Sequence, residues 1–318
     1  MASTAALVAS YTEMVIGVFG LFGNINILVA MYTRSSLRSK CGLLMALIAF
    51  YDTIAIGFEY FQAIAFVLNA QLTTRECFRV IFLFVFALQM QMFAVLSISV
   101  DRLVAILFPF VYRSITETQW VIYTSIPGLV ANGIFLPWSY LESNELIVNG
   151  CNPPSSMPDH VALWWTKLTV AVNVAVVAIY IAVIVAIRIN AKRFSKSLFD
   201  QQAKNFFIQQ QKAMRTVSVM IVVICSTWFL TQAIAFVYYA LPQFLESYWF
   251  QCVSELAVIP VMCGYSLNYY VYFWRSSEYR RVFKHQLRAL FPFLKKAIDG
   301  EQTLFTIRSK ASHGSMTH

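Results

Sequence analysis

Six stretches of this 318-residue chain contain no Asp, Glu, Lys or Arg at all: 14–33, 80–100, 118–141, 168–187, 216–245 and 256–274. Each matches the roughly 20 helical residues that cross about 30 Å of hydrocarbon. A seventh apolar segment, 41–69, is interrupted only by Asp52 and Glu59. Soluble domains hold about 25% charged residues, whereas this chain holds 12%, against 59% hydrophobic. So few charges cannot cover a water-facing surface of this size, so the solvent it requires is a bilayer. Open sheet edges do not survive in lipid, so each segment is expected to be a helix that satisfies its own backbone. Barrel strands would be about ten residues long and alternate in polarity, and no segment does.

The basic residues set the orientation. With the N-terminus outside, the inner connections hold 21 of the 24 Lys and Arg, and the outer side keeps Arg75, Arg79 and Lys167. Glu142, Glu145 and Asp159 make the second outer loop acidic. The +9 net charge is split among four separate inner segments, which fits flanks on anionic lipid and argues against nucleic acid as a partner. Residues 1–12 lack a basic stretch, so no cleavable leader is expected. The fold class that follows is an all-α membrane protein, a seven-transmembrane helix bundle. After Trp274, Tyr279, Val282, Phe283, Leu287 and Leu290 recur at helical spacing with basic residues between them. They predict an eighth, amphipathic helix on the cytoplasmic face. Residues 1–290 read as one seven-span domain and 291–318 as a disordered cytoplasmic tail. The long inner segment 188–212 is Gln-rich without Pro or Gly and reads as helical extension of spans five and six. In the second outer loop the prolines of CNPPSSMP forbid a helix.

Cys77 closes the outer end of span three and Cys151 lies in the outer loop, both in an oxidising compartment where a bridge persists. Cys252, near the outer end of span seven, is the rival partner, and two unrelated thiols are the plain alternative. Cys41, Cys225 and Cys263 read as small buried hydrophobes. His160, His285, His313 and His318 fall in loops or the tail. No Cys/His cluster, Ser/His pair or phosphate-binding glycine loop is present, so neither enzyme chemistry nor a cofactor is expected.

Several short motifs share one order and spacing. Cys77 stands 25 positions before Arg102, Asp101-Arg102 closes span three, and Pro109 follows. Gly23-Asn24 lies in span one, AFYD ends at Asp52 in span two, and NYYVY (268–272) ends span seven. Together they resemble the rhodopsin-like G-protein-coupled receptors. SLRSKCGLLMALIAFYD (36–52) and DRLVAILFPF (101–110) look most like the nematode serpentine chemoreceptors, class SX. The resemblance covers about residues 10–290. It implies a chemosensory or neuropeptide-type receptor in the plasma membrane, with an extracellular small molecule or peptide as ligand and a heterotrimeric G protein as partner. A seven-span ligand-gated channel or transporter is the rival class. Its marks would be duplicated halves, Gly/Pro-broken helices at the midplane or polar pore faces, none of which the sequence displays.

The resemblance also assigns residues. Arg102, with Asp101 as local counter-ion, would hold the inner helix ends at rest and then swing toward a G-protein helix; plain interfacial anchoring is the simpler alternative. The family often places an acid at the inner end of span six. Here Gln209, Gln210, Gln211 and Lys212 stand there, and Asp200 is the one acid in that loop, which implies a weak resting lock. Gln210→Glu should then lower ligand-free signalling. Asp52, with Asn24 and Asn268, matches an internal polar site that can hold sodium, although Gln91 replaces a small hydroxyl and Gly264 adds no side chain. A carboxylate so deep is costly and normally functional; a hydrogen-bonded packing role is the alternative. Asn268 and Tyr272 keep the ends of the span-seven motif, but Tyr269 replaces its proline, leaving Pro260 to supply a kink. Trp228, expected among the ligand contacts, resembles the span-six aromatic switch without the following proline, and reads equally as a packing aromatic.

For a ligand, Glu59 is seven residues outward of Asp52 and faces the same side of span two. Glu13 lies on nearly the same face as Asn24, and Glu255 at the outer end of span seven. These acids would favour a basic group or share protons, with interfacial solvation of Glu13 and Glu255 as the alternative. Phe84, where amine-binding relatives carry an Asp, would form an apolar wall with Val85 and Leu88 that holds the single amide of Gln89. That wall argues against a simple monoamine.

Overall fold

The computed structural model describes residues 4–68, 70–148, 151–153, 155–196, 219, 221–231, 234, 252–253 and 256–292. Residues 209–212, Asp200, Glu255 and the tail from 293 onward therefore lie outside it. Among the described residues the chain runs α1 (Thr4–Thr33), a 3-10 turn (Ser35–Leu37), α2 (Lys40–Val67), β1 (Leu72–Thr73), α3 (Thr74–Leu107), α4 (Pro109–Ser114) and α5 (Glu117–Glu142). It continues as β2 (Ile147–Val148), α6 (Asp159–Lys196), α7 (Ile221–Thr231), α8 (Val258–Ser266), α9 (Asn268–Arg275) and α10 (Ser277–Leu290). Five helices, α1, α2, α3, α5 and α6, are long and apolar enough to cross a membrane. Together they form a helical membrane bundle.

Local chemistry starts these helices where they start. Thr73 and Glu76 form a reciprocal capping box on α3, and Thr116 and Gln119 form another on α5. Ser39 caps α2 and Ser276 caps α10. Each cap satisfies backbone N–H groups that a helix otherwise leaves open. At the other ends, Arg38 donates from Nε to the Met31 carbonyl (3.0 Å), and Arg280 does the same to Phe273 (2.7 Å). Two arginines thus satisfy the last carbonyls of α1 and α9, where the helix dipole favours a cation. Pro109 opens α4 at a position where no intrahelical N–H is needed.

The helices bury polar groups and expose apolar ones. Asn24, Asp52, Gln91 and Asp101 are inside, while Val18, Phe19, Ile122, Val130, Val174 and Ile181 face out. Water would select the reverse pattern; hydrocarbon selects this one. α3 is the most buried of the spanning helices and packs on α2, α5 and α6, while α1 packs on α2 and α8. At roughly 1.5 Å per residue its 34 residues reach about 50 Å, so it must tilt or project beyond the hydrocarbon.

Three expectations change in detail. α1 begins ten residues before the charge-free stretch and carries Glu13 inside, 5% exposed, so interfacial solvation does not describe this acid. The interruption near the end of the chain falls at Leu267, between α8 and α9. Pro260 instead sits in the first turn of α8, where a proline breaks no bond of that helix. His160 lies in the first turn of α6 and His285 in α10, rather than in loops. The helix expected over 188–212 continues to Lys196 within the described residues.

At the N-terminal end of α3, Cys77 and Cys151 form a disulfide, with Cα atoms 5.4 Å apart, and Cys252 is free. β1 and β2 pair antiparallel beside it, with Leu72 opposite Val148 and Thr73 opposite Ile147. Arg75 adds an ion pair to Glu145 (2.8 Å) and a hydrogen bond to the Ser143 carbonyl (2.8 Å). Bridge, strand pair and ion pair fix the second outer loop to the start of α3.

Candidate functional site

Three polar layers lie inside the apolar bundle. The outermost is acidic. Glu59 on α2 and Glu13 on α1 are both buried, close enough to act on each other electrostatically, and neither has a hydrogen-bond partner among the described residues. Tyr60 flanks them and donates to the Met14 carbonyl at 2.7 Å, and Tyr265 on α8 lies within electrostatic reach of Glu59. Phe84 stacks on Phe58 with ring centres 5.8 Å apart, in one apolar cluster with Val85, Leu88, Phe135 and Trp165. Gln89 is 1% exposed, and neither its amide oxygen nor its nitrogen has a partner. An unsatisfied amide in this setting costs free energy. Trp228, by contrast, packs on the inner cluster with Ile224, Cys225 and Phe93 rather than beside Phe84 and Leu88.

The middle layer centres on Asp52, which is fully buried. Asn268 donates to its Oδ2 at 2.7 Å, and Gln91 donates to its Oδ1. Asn24 donates to the Tyr265 carbonyl at 3.1 Å. Asn268 and Gln91 thus both meet Asp52, whereas the bond of Asn24 goes to the backbone of α8. Two buried amide oxygens, Asn24 Oδ1 and Gln91 Oε1, have no partner. One carboxylate and two orphaned carbonyl-type oxygens are hard donors of the kind that suits a small alkali cation, so the residues fit sodium. α7 reaches this layer closely: a Cβ built on Gly264 would lie 2.9 Å from Thr227 Oγ1, so α7 and α8 meet where only a glycine leaves room.

The innermost layer is ionic. Asp101 is fully buried and Arg102 nearly so. Arg102 Nε donates to Asp101 Oδ2 at 2.9 Å, and Nη2 pairs with the same oxygen. The Tyr112 hydroxyl on α4 donates to Asp101 Oδ1 at 2.9 Å. Burial, then the nearby Asp101 carboxylate, push that hydroxyl well above its ordinary range, so it remains a donor. Tyr272 is buried and stacks on Tyr279 of α10 at 5.0 Å, within electrostatic reach of Arg102. Tyr269, standing where the family motif has proline, packs on Phe283 of α10 at 4.3 Å and fills the space above Gly23. α10 is thereby seated against α9 and α1 by aromatic rings.

Sequence reasoning missed four residues here. Tyr112 and Trp120 carry no assignment there, and Lys40 is only one of the 21 basic residues on the inner side. Phe110, 86% exposed on α4, was not singled out either. A signal for Tyr112 existed in its place three residues beyond Pro109, on a helix started by that proline. Nothing local to Lys40 or Trp120 marks them.

Residues 17–287 match the family model for the serpentine type 7TM GPCR chemoreceptor Srsx, and no curated protein matches the chain. The match covers most of the chain, including the disulfide and every side chain of the three polar layers except Glu13. This agrees with the class SX resemblance of the 36–52 and 101–110 stretches. The chain belongs to the Srsx family of serpentine seven-transmembrane GPCR chemoreceptors.

Proposed function

We propose that this chemoreceptor crosses the plasma membrane seven times, with its N-terminus extracellular and α10 on the cytoplasmic surface. In this reading it binds an extracellular small molecule or peptide in the outer half of the bundle and activates a heterotrimeric G protein. The observation that carries the reading is the buried Asp101–Arg102 pair at the inner end of the most buried helix. A charge pair at that depth is costly to desolvate and contributes little stability beyond an apolar pair. Its presence is accounted for by a state in which it opens.

Ligand contacts are assigned to Glu59, Phe84, Leu88, Gln89 and Glu255, with Trp228 beneath them passing movement to α7. Glu59 and Glu13 give the pocket negative or proton-sharing character, which favours a ligand carrying a basic group. The Phe84 wall carries no acid, so a small monoamine gains no counter-ion from α3. A ligand shifts the receptor only by its differential affinity for the two states. When the active state is favoured, Arg102 leaves Asp101, Asn268 and Tyr272 move with α9, and the inner mouth accepts the G protein. Phe110 and Val111, exposed on α4, offer that partner an apolar contact. Asp52, Asn24 and Gln91 would hold sodium in the resting state, and the ion would supply a positive charge between α1, α2 and α3.

The test is a panel of small organic cues and neuropeptides applied to cells expressing the receptor with a promiscuous G protein. Evoked signalling should vanish in Arg102→Ala and persist when the sodium and potassium gradients are collapsed. Signalling that survives Arg102→Ala but disappears with the gradients would identify a ligand-gated channel instead.

A further inference from the structure

We infer that Lys40 is a positioning residue for the Arg102 switch: it docks α4 onto the bundle through Tyr112, and Tyr112 in turn holds Asp101 in place against Arg102. Lys40 is the first residue of α2 and is 6% exposed. A buried ammonium at a membrane flank is expensive unless it is compensated. Among the described residues no carboxylate pairs with it. Its compensation comes from rings and a carbonyl instead. Nζ donates to the Tyr112 carbonyl and lies 3.9 Å from the centre of the Tyr112 ring and 5.9 Å from that of Trp120. Tyr112 and Trp120 meet edge to face at 5.7 Å. The cation therefore sits in a two-ring cage made by α4 and α5, and its attraction to the ring faces is strongest where water is excluded.

The cage has a consequence at Asp101. That carboxylate is divided between two partners, with Oδ1 accepting from Tyr112 and Oδ2 from Arg102. If Tyr112 withdraws, Oδ1 loses its donor in a buried site, and the carboxylate is free to turn with Arg102 attached. Lys40 is therefore placed to influence the ionic pair through one intermediate, Tyr112. A docked α4 holds the pair, and an undocked one releases it. In this receptor, where no acid occurs at 209–212, the loop-two side supplies a restraint on the pair. The inference deepens the coupling reading above by naming a regulator of the same switch.

The experiment needs no ligand. Cys41 follows Lys40, is buried and lies within electrostatic reach of Arg102 and of Tyr112 on α4. Its alkylation by N-ethylmaleimide therefore reports release of α4. Membranes would carry the full chain with Cys225, Cys252 and Cys263 replaced by Ala, and with Lys40→Met, Lys40→Arg, Tyr112→Phe or the double Lys40→Met/Tyr112→Phe added. Ligand-free nucleotide exchange by added G protein is read on the same membranes. Lys40→Met and Tyr112→Phe should each raise the alkylation rate at least threefold. Lys40→Arg, which keeps a cation over the rings, should stay within twofold of the parent. The double variant should not exceed the larger single, because both residues act in one chain. An unchanged rate in Lys40→Met overturns the proposal, and so do multiplicative effects in the double. Faster alkylation with no exchange in any sample, the parent included, supports the docking role and overturns the coupling reading instead. Should Lys40→Met fail to fold, Tyr112→Phe, which keeps the ring and its cation, carries the test.

Discussion

Asp52 and Asp101 are both fully buried, yet they are held in opposite ways. Asp52 accepts hydrogen bonds from two neutral amides, Asn268 and Gln91. Asp101 is paired with a guanidinium and a phenol. A carboxylate held by neutral donors still has charge to be compensated, so it remains open to a proton or a cation. A carboxylate held by Arg102 is electrically closed, and only movement of the chain changes it. In the proposed reading the middle of the bundle responds to small ions, and the Asp101–Arg102 end to conformation. One helix links them, because Gln91 and Asp101 both project from α3.

The largest separation between the two sites should appear on truncation. Asp101→Ala removes the carboxylate paired with a buried guanidinium, and breaking a buried pair in this way costs about 3–5 kcal/mol. Asp52→Ala leaves two amides short of an acceptor, a loss of about 1–3 kcal/mol. Thermal unfolding of the two purified variants in one detergent should rank them in that order, and equal losses would erase the distinction. Next in size is sodium. If the ion binds at Asp52, replacing choline with sodium at ten times its dissociation constant should add about 1.4 kcal/mol. The gain should disappear in Asp52→Ala and persist in Asp101→Ala.

The sequence already contained the outline of this contrast. Absence of charge over about twenty residues located the spanning helices, and the same rule made Asp52 and Glu59 conspicuous. The two outer cysteines and the Asp101-Arg102 pair were equally visible. The rule failed where a charge is buried: Glu13 ends a charge-free stretch but not α1, which runs on to Thr4. It also failed where a contact joins distant residues. Lys40 meets Tyr112 and Trp120 only because α2, α4 and α5 converge, and a cation over a ring leaves no complementary charge to find. Tyr269 was visible as a missing proline, but its packing on Phe283 depends on α10 folding back.

Smaller effects refine the inner site. Tyr112→Phe removes one hydrogen bond to Asp101 while keeping the ring under Lys40, so it should cost about 0.5–1.5 kcal/mol. A loss near that of Asp101→Ala would mean that Tyr112, rather than Arg102, carries the pair. Gly264→Ala should be smaller still if Thr227 can turn its hydroxyl aside. The same thermal measurement reads it, and a large loss would place the contact between α7 and α8 among the tight constraints on the middle layer.

The most direct test of the account is nucleotide exchange on heterotrimeric G proteins by the purified receptor in lipid nanodiscs, without ligand, at equal amounts of folded protein. If Asp101 restrains Arg102, Asp101→Asn should raise exchange several-fold above wild type. Arg102→Ala should abolish it, and Asp52→Asn should change it less than either. Exchange that is measurable in wild type yet indifferent to both Asp101→Asn and Arg102→Ala would contradict the claim that this pair is the receptor's output switch.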